Sequence, residues 1–183
     1  MDKLKLLSCS VLLWGLWSIP GFADDFAAKV RTAKLVENPN GYSVNADIAY
    51  HLSPTAQEAL LKGVALAWDV FIEINRTGLL LNSRVYQKKI PYILQFHALL
   101  NQYEVKSPGQ LEMFLSLNAA LNFMAAVQTH AIDKNLLNNN DSYQLAVKTE
   151  FNREFLPVPL RPVAYLDGQW FLSSAWFVWP IQK

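Results

Sequence analysis

The sequence predicts a mainly β protein: an antiparallel, immunoglobulin-like β-sandwich of about seven or eight strands with one short and one longer helix. Three observations predict it. Apolar residues keep period two through Tyr42–Leu52, Val64–Ile74 and Tyr143–Phe151, the pattern of strands with one buried face. Turn clusters such as Asn38-Pro39-Asn40-Gly41 and Asp167-Gly168 punctuate those runs. Only two stretches carry helix-start signals.

Taken in order, Met1–Ala23 reads as a signal peptide. Lys3 and Lys5 precede an apolar run from Leu6 to Trp17, and Gly21-Phe22-Ala23 places small residues where a signal peptidase cuts. Cleavage after Ala23 leaves residues 24–183 as one sandwich-like domain in the periplasm, and the apolar run is short for a membrane-spanning helix. An uncleaved signal would be the chain's one membrane attachment. Removal of the segment also removes Cys9, the sole cysteine, so the exported chain has no disulfide and no thiol nucleophile. Lys3, Lys5 and Asp2 leave with it, and the remaining chain is formally neutral. Neutrality gives no electrostatic case for nucleic acid or an anionic membrane surface as partner.

Phe26–Val36 changes apolar phase midway, as a strand with a bulge near Arg31-Thr32 would, and it pairs across the Asn38–Gly41 turn with Tyr42–Leu52. Ser53-Pro54 opens a short helix, Thr55–Lys62, that Gly63 stops. Val64–Ile74 is the second strong strand, and its Trp68 is expected in the core. A long strand follows over Tyr86–Ala98. Pro91 cannot donate a ladder hydrogen bond, so that strand must have an open edge or a bulge there. Leu99–Val105 either extends it or makes a short strand of its own.

Ser107-Pro108-Gly109-Gln110 matches a capping box, and Leu111, Phe114, Leu117, Leu121 and Met124 recur at helical spacing, so Pro108–Ala125 is expected as the longer helix. Val127–Ile132 is a weak strand, and the asparagine-rich 133–141 a loop. Leu156–Pro162, with three prolines, is expected to run extended. The last run, Trp170–Ile181, is apolar in both alternate phases, which predicts a strand covered on both faces at the hub of the core.

Three stretches carry a resemblance: Leu94-Gln95-Phe96-His97-Ala98-Leu99-Leu100-Asn101-Gln102-Tyr103, Leu156-Pro157-Val158-Pro159, and Trp170 to Trp179 with its Trp-x-Leu-Ser-Ser-x-Trp core. They resemble, in order, stretches of the bacterial family known as domain of unknown function 4390, some of whose relatives are labelled proline-rich signal-peptide proteins. The resemblance implies an exported protein of Gram-negative bacteria, and it implies no activity. Where that family carries an arginine followed by a tryptophan-rich patch, this chain has Arg76-Thr77-Gly78-Leu79-Leu80-Leu81.

No catalytic set announces itself. His51, His97 and His130 lack metal-ligand spacing, so neither metal nor cofactor is expected. Asp69 and Glu73 share a strand face about 13 Å apart, too far to share a proton, and are expected as solvated charges. Ser173-Ser174 has no nucleophile elbow around it and marks a bulge or close backbone approach instead. The leading expectation is a non-enzymatic binding or accessory module that contacts another envelope protein. Its candidate surface is Lys89, Tyr92, Gln95, Phe96, His97 and Tyr103 around the Pro91 edge, with Trp176 and Trp179 on the aromatic run. A carrier of an apolar ligand such as a lipid is the alternative. A hydrolase-like enzyme is the third, with Arg84, His97 and Tyr103 as its polar candidates.

Overall fold

The structure, a computed structural model, describes residues 26–78, 81–129, 131–138 and 140–181. The expected signal peptide, His130 and Leu79-Leu80 lie outside the described residues. Within them the fold is mainly β, with two antiparallel sheets. The smaller sheet has the order β1-β2-β7, from β1 (Ala28–Asn38), β2 (Gly41–Tyr50) and β7 (Ala126–Gln128). The larger has the order β6-β5-β4-β3-β8-β9. Its strands are β3 (Leu66–Arg76), β4 (Ser83–His97), β5 (Gln102–Ser107), β6 (Gln110–Phe114), β8 (Tyr143–Phe151) and β9 (Phe177–Ile181). Four consecutive strands, β3 to β6, form one meander within the larger sheet, a different connectivity from the alternating sheets of an immunoglobulin domain.

The local signals explain most of these elements. The β1–β2 hairpin shifts register between Val30 and Thr32, at the phase change in the sequence. Gly41 begins β2 with φ +141, a conformation side-chain-bearing residues rarely adopt. The helix α1 (Pro54–Leu61) starts at Ser53, whose hydroxyl accepts from the Ala56 amide at 3.1 Å, with Pro54 in the first turn where no donor is needed.

The core lies where the inner faces of the two sheets meet, and β3 is its centre. Leu66, Val70, Ile72 and Ile74 are wholly buried, with Trp68 at 1% exposure. Flanked by β4 and β8, β3 carries the aromatic spine of the interior. Tyr50 of β2 meets Trp68 edge-on at 5.6 Å, Phe151 lies 5.1 Å from Trp68, and Trp170 stacks on Phe151 at 6.0 Å.

The C-terminal run is not the hub that its composition predicts. Gly168–Trp170 is a 3-10 turn, residues 171–176 are irregular, and only Phe177–Ile181 pairs, as the outermost strand of the larger sheet. Trp170 and Leu172 are buried, whereas Trp176 and Trp179 are 43% and 52% exposed. An apolar run without polar alternation is equally compatible with a strand covered on both faces and with a rim strand whose large side chains lie over their neighbours. Ser173 and Ser174 decide between them. Their hydroxyls accept from the Phe151 and Thr149 amides, both at 2.9 Å, while the Ser174 amide still donates to the Thr149 carbonyl at 2.8 Å, so hydroxyls take over part of the backbone ladder at this end of β8 and no regular strand forms there. The close backbone approach expected of this pair is thus present, and Leu172 closes the link by accepting from the Trp68 indole at 3.2 Å.

Two other expectations are corrected. Pro108-Gly109 is not a helix start but the turn of the β5–β6 hairpin, with Gly109 at φ +80. A proline followed by a glycine in the left-handed region satisfies a tight turn better than a capping box. The helix that does form, α2 (Leu117–Ala125), is capped by Ser116, which accepts from the Ala119 amide at 3.2 Å. The helical spacing from Leu111 onward spans a strand and a helix by coincidence. The proline-rich 156–162 segment is likewise not extended. It makes a 3-10 turn at Val158–Leu160 and then a third helix, α3 (Arg161–Leu166), because a proline φ near −65° serves a first helical turn as well as an extended chain.

Candidate functional site: the open half of the long strand

β4 is paired unequally. β3 runs beside Ser83–Leu94, whereas β5 covers only Ile93–His97. Among the described residues the half from Ser83 to Tyr92, about 30 Å of strand, therefore has one free edge. The chain makes β5 short because the turn after His97 returns it, through Asn101 at φ +51, for only six residues before Pro108-Gly109 reverses it again. Pro91 sits in the free half. The β3–β4 register passes through Asp69 opposite Pro91 without a shift, so the nitrogen that cannot donate faces the free side.

Lys88, Ile90 and Tyr92, from the inward-facing phase of this half, line a cleft of ≈ 720 Å³. Its other walls are the 107–110 turn and the residues Ala126, Gln128 and Thr129 of the β7 region. Among the described residues β7 is itself an edge strand, paired only with β2. The cleft is thus the open seam between the two sheets. Lys88 is the one charged side chain lining it and has no carboxylate partner among the described residues. Ile90 and Tyr92 are buried, and burial raises the Tyr92 phenol above its ordinary value. The β7 wall was beyond reach of sequence reasoning, since nothing local in Ala126–Thr129 announces what it faces.

Lys89 points to the outer face. It contacts Asp69 at 2.9 Å and lies 5.7 Å over the Phe71 ring. Lys148 lies over Phe71 on the other side and over Trp176 at 5.1 Å, which continues the row across β8 to the rim. Asp69 also accepts from the Asn152 side-chain Nδ2–H at 3.1 Å, and Glu73 from Arg84 at 3.0 Å. These two carboxylates are not the solvated charges expected, for their side chains are only 12% and 16% exposed and both are paired across strands.

The remaining candidates fall elsewhere. Gln95 lies opposite Glu104, in the half already covered by β5. Phe96 and Tyr103 face each other in register and pack ring to ring at 4.8 Å. His97, on the opposite face, contacts Glu104 at 3.0 Å, and Lys106 approaches the other Glu104 oxygen at 2.5 Å. Trp176 and Phe177 line a different groove of ≈ 660 Å³ beside Lys29, Arg31 and His51, and Trp179 stacks on Phe177 at 6.3 Å along β9. The hydrolase candidates do not converge. Arg84 is about 43 Å along β4 from His97, and Tyr103 lies on the other face of the sheet. Among the described residues no three His, Cys, Asp or Glu side chains are grouped as a metal site would require.

In the His97–Glu104–Lys106 cluster the His97–Glu104 contact joins β4 to β5, while Lys106 holds the same carboxylate from within β5. The Lys106 hydrogen bond, with a smaller one from His97, holds the Glu104 carboxyl below its ordinary range against the opposing effect of desolvation. A carboxyl that is more acidic in the folded state stabilises the fold above the ordinary carboxylate range, and the benefit is lost as pH falls through its folded value. Glu104→Gln is therefore expected to cost on the order of 1 kcal/mol at pH 7 and nothing once the carboxyl is protonated in both states. Urea unfolding of both proteins across that acid range checks it. A penalty that stays constant into acid would remove the charge from the explanation.

The domain is thus a mainly β fold of two antiparallel sheets in which, among the described residues, the long strand leaves half of one edge unpaired beside a cleft. The family model for a domain of unknown function, DUF4390, matches residues 26–180, and the chain belongs to that family. No curated protein and no solved structure matches it.

Proposed function

We propose that this protein is an exported, periplasmic, non-enzymatic module that contacts another envelope protein by accepting one of its strands on the open half of β4. One observation carries the proposal: among the described residues Ser83–Tyr92 is paired on one side only, next to a cleft, in the strand where Pro91 already prevents continuous pairing. Strand addition satisfies exposed backbone groups and takes its selectivity from alternate side chains. Lys88 and Lys89 discourage indiscriminate pairing, as charges on natural edges do. Export is supported by the signal-peptide pattern of residues 1–23. The apolar-carrier alternative gains no comparable support, because the ≈ 660 and ≈ 720 Å³ clefts both open to solvent.

The test is photo-crosslinking in cells of the native host, with the reactive residue at Lys89, Gln95 or Trp176. A protein adduct is expected at Lys89 and none at Gln95, whose flank β5 already covers. Adducts at Trp176 alone would move the contact to the rim strand and end the proposal.

A further inference from the structure

We infer that the β4 cleft takes an extended acidic segment of another protein, with a carboxylate beside Lys88 and apolar side chains over Ile90 and Tyr92. This inference rests on the strand-addition proposal and adds the chemistry of the partner. Backbone groups in a strand alternate sides, so with the Pro91 nitrogen on the free side, the N–H and C=O groups of Gln87 and Lys89 face that side too. They are the donors and acceptors for an incoming strand. The side chains of Lys88, Ile90 and Tyr92 alternate with them and line the cleft wall. An added strand therefore meets one cation and two apolar surfaces at every second position.

Charge decides between occupants. Lys88 has no carboxylate partner among the described residues, and Lys89 is its neighbour in sequence. Gln110, Gln128 and Thr129 across the cleft supply amides and a hydroxyl but no acid. Lys89 is already paired with Asp69 on the outer face, so a second copy pairing antiparallel about Lys88 would bring two uncompensated Lys88 ammonium groups together, whereas an acidic segment neutralises the one it meets. The inferred partner sequence has apolar residues at two alternate positions and aspartate or glutamate at the next alternate one.

The probe is a labelled synthetic strand of about six residues with two alternate valines and one glutamate in that spacing, titrated onto the exported chain by fluorescence anisotropy. A peptide with glutamine for glutamate is the control. Saturable binding is expected, weakened about two- to fivefold by the glutamine peptide and to the same extent by Lys88→Gln, the size of one partly exposed ion pair. Gln87→Pro removes a donor from the free side alone, as Pro91 does naturally, and is expected to weaken binding about tenfold with secondary structure retained. Hydrogen exchange on the unaltered protein gives the same answer without a variant, through slower exchange of the Gln87 and Lys89 amides when the peptide is present.

Loss of binding in Gln87→Pro with no difference between the glutamate and glutamine peptides would overturn the acidic chemistry and leave the edge proposal standing. Absence of peptide binding together with a Lys89 adduct in cells would do the same. Concentration-dependent dimerisation of the chain alone, abolished by Gln87→Pro, would assign the edge to a second copy and overturn the inference.

Discussion

Trp68→Ala is expected to lower the free energy of unfolding by about 3–5 kcal/mol, which corresponds to a fall in Tm of roughly 10 °C. Trp68 is 1% exposed, touches Tyr50 and Phe151 with its rings, and donates its indole N–H to Leu172, so truncation opens a cavity and leaves a buried carbonyl without that donor. The loss approaches the whole stability of a marginal domain. Trp176→Ala is the informative comparison. Its side chain is 43% exposed and lies against Lys148, so its loss is expected to cost no more than about 1 kcal/mol. Urea titration of both variants decides whether the interior is organised on β3 or on the C-terminal run. Equal penalties would restore the C-terminal run to the centre.

Gly41→Ala is expected to cost about 3 kcal/mol, a large effect for a single methyl group. The residue has φ +141, and a Cβ built there would run into the carbonyl oxygen of Ile132. That carbonyl accepts from the Tyr42 amide at 2.8 Å, and the Ile132 amide donates to the Tyr42 carbonyl at 2.6 Å. The substitution thus strains the backbone and breaks a two-bond bridge between β2 and the segment that follows β7. Thermal unfolding measures the loss. Hydrogen exchange should show the Tyr42 and Ile132 amides losing protection together, and a variant as stable as the parent would mean that the segment has room to move aside.

These two sites also separate local from long-range information. The Gly41 turn was legible because Asn38-Pro39-Asn40-Gly41 is a local signal, but its clash with Ile132 was not, because the two residues meet only through the fold. Pro91 was informative in the same limited way. A missing donor implies an incompletely paired edge wherever the strand goes, and the edge exists. Nothing near Pro91 in the sequence says that β7 forms the opposite wall of a cleft. In the sequence Gln95 groups with Lys89, because six residues along one strand look like one surface; in the fold β5 covers one end and not the other.

The sequence by itself determined the mainly β class, the bulged β1–β2 hairpin, the Ser53-capped helix and the buried face of β3. Each depends on periodicity, caps or turn residues that act over a few positions. Tertiary structure alone decided that Pro108-Gly109 turns a hairpin, that Trp170 and Leu172 go inside while Trp176 and Trp179 stay at the rim, and that Ser83–Tyr92 keeps one edge free. The physical reason is the same in each case. A run of apolar side chains states how much surface can be buried, while the choice of what buries it belongs to strands brought alongside from distant parts of the chain.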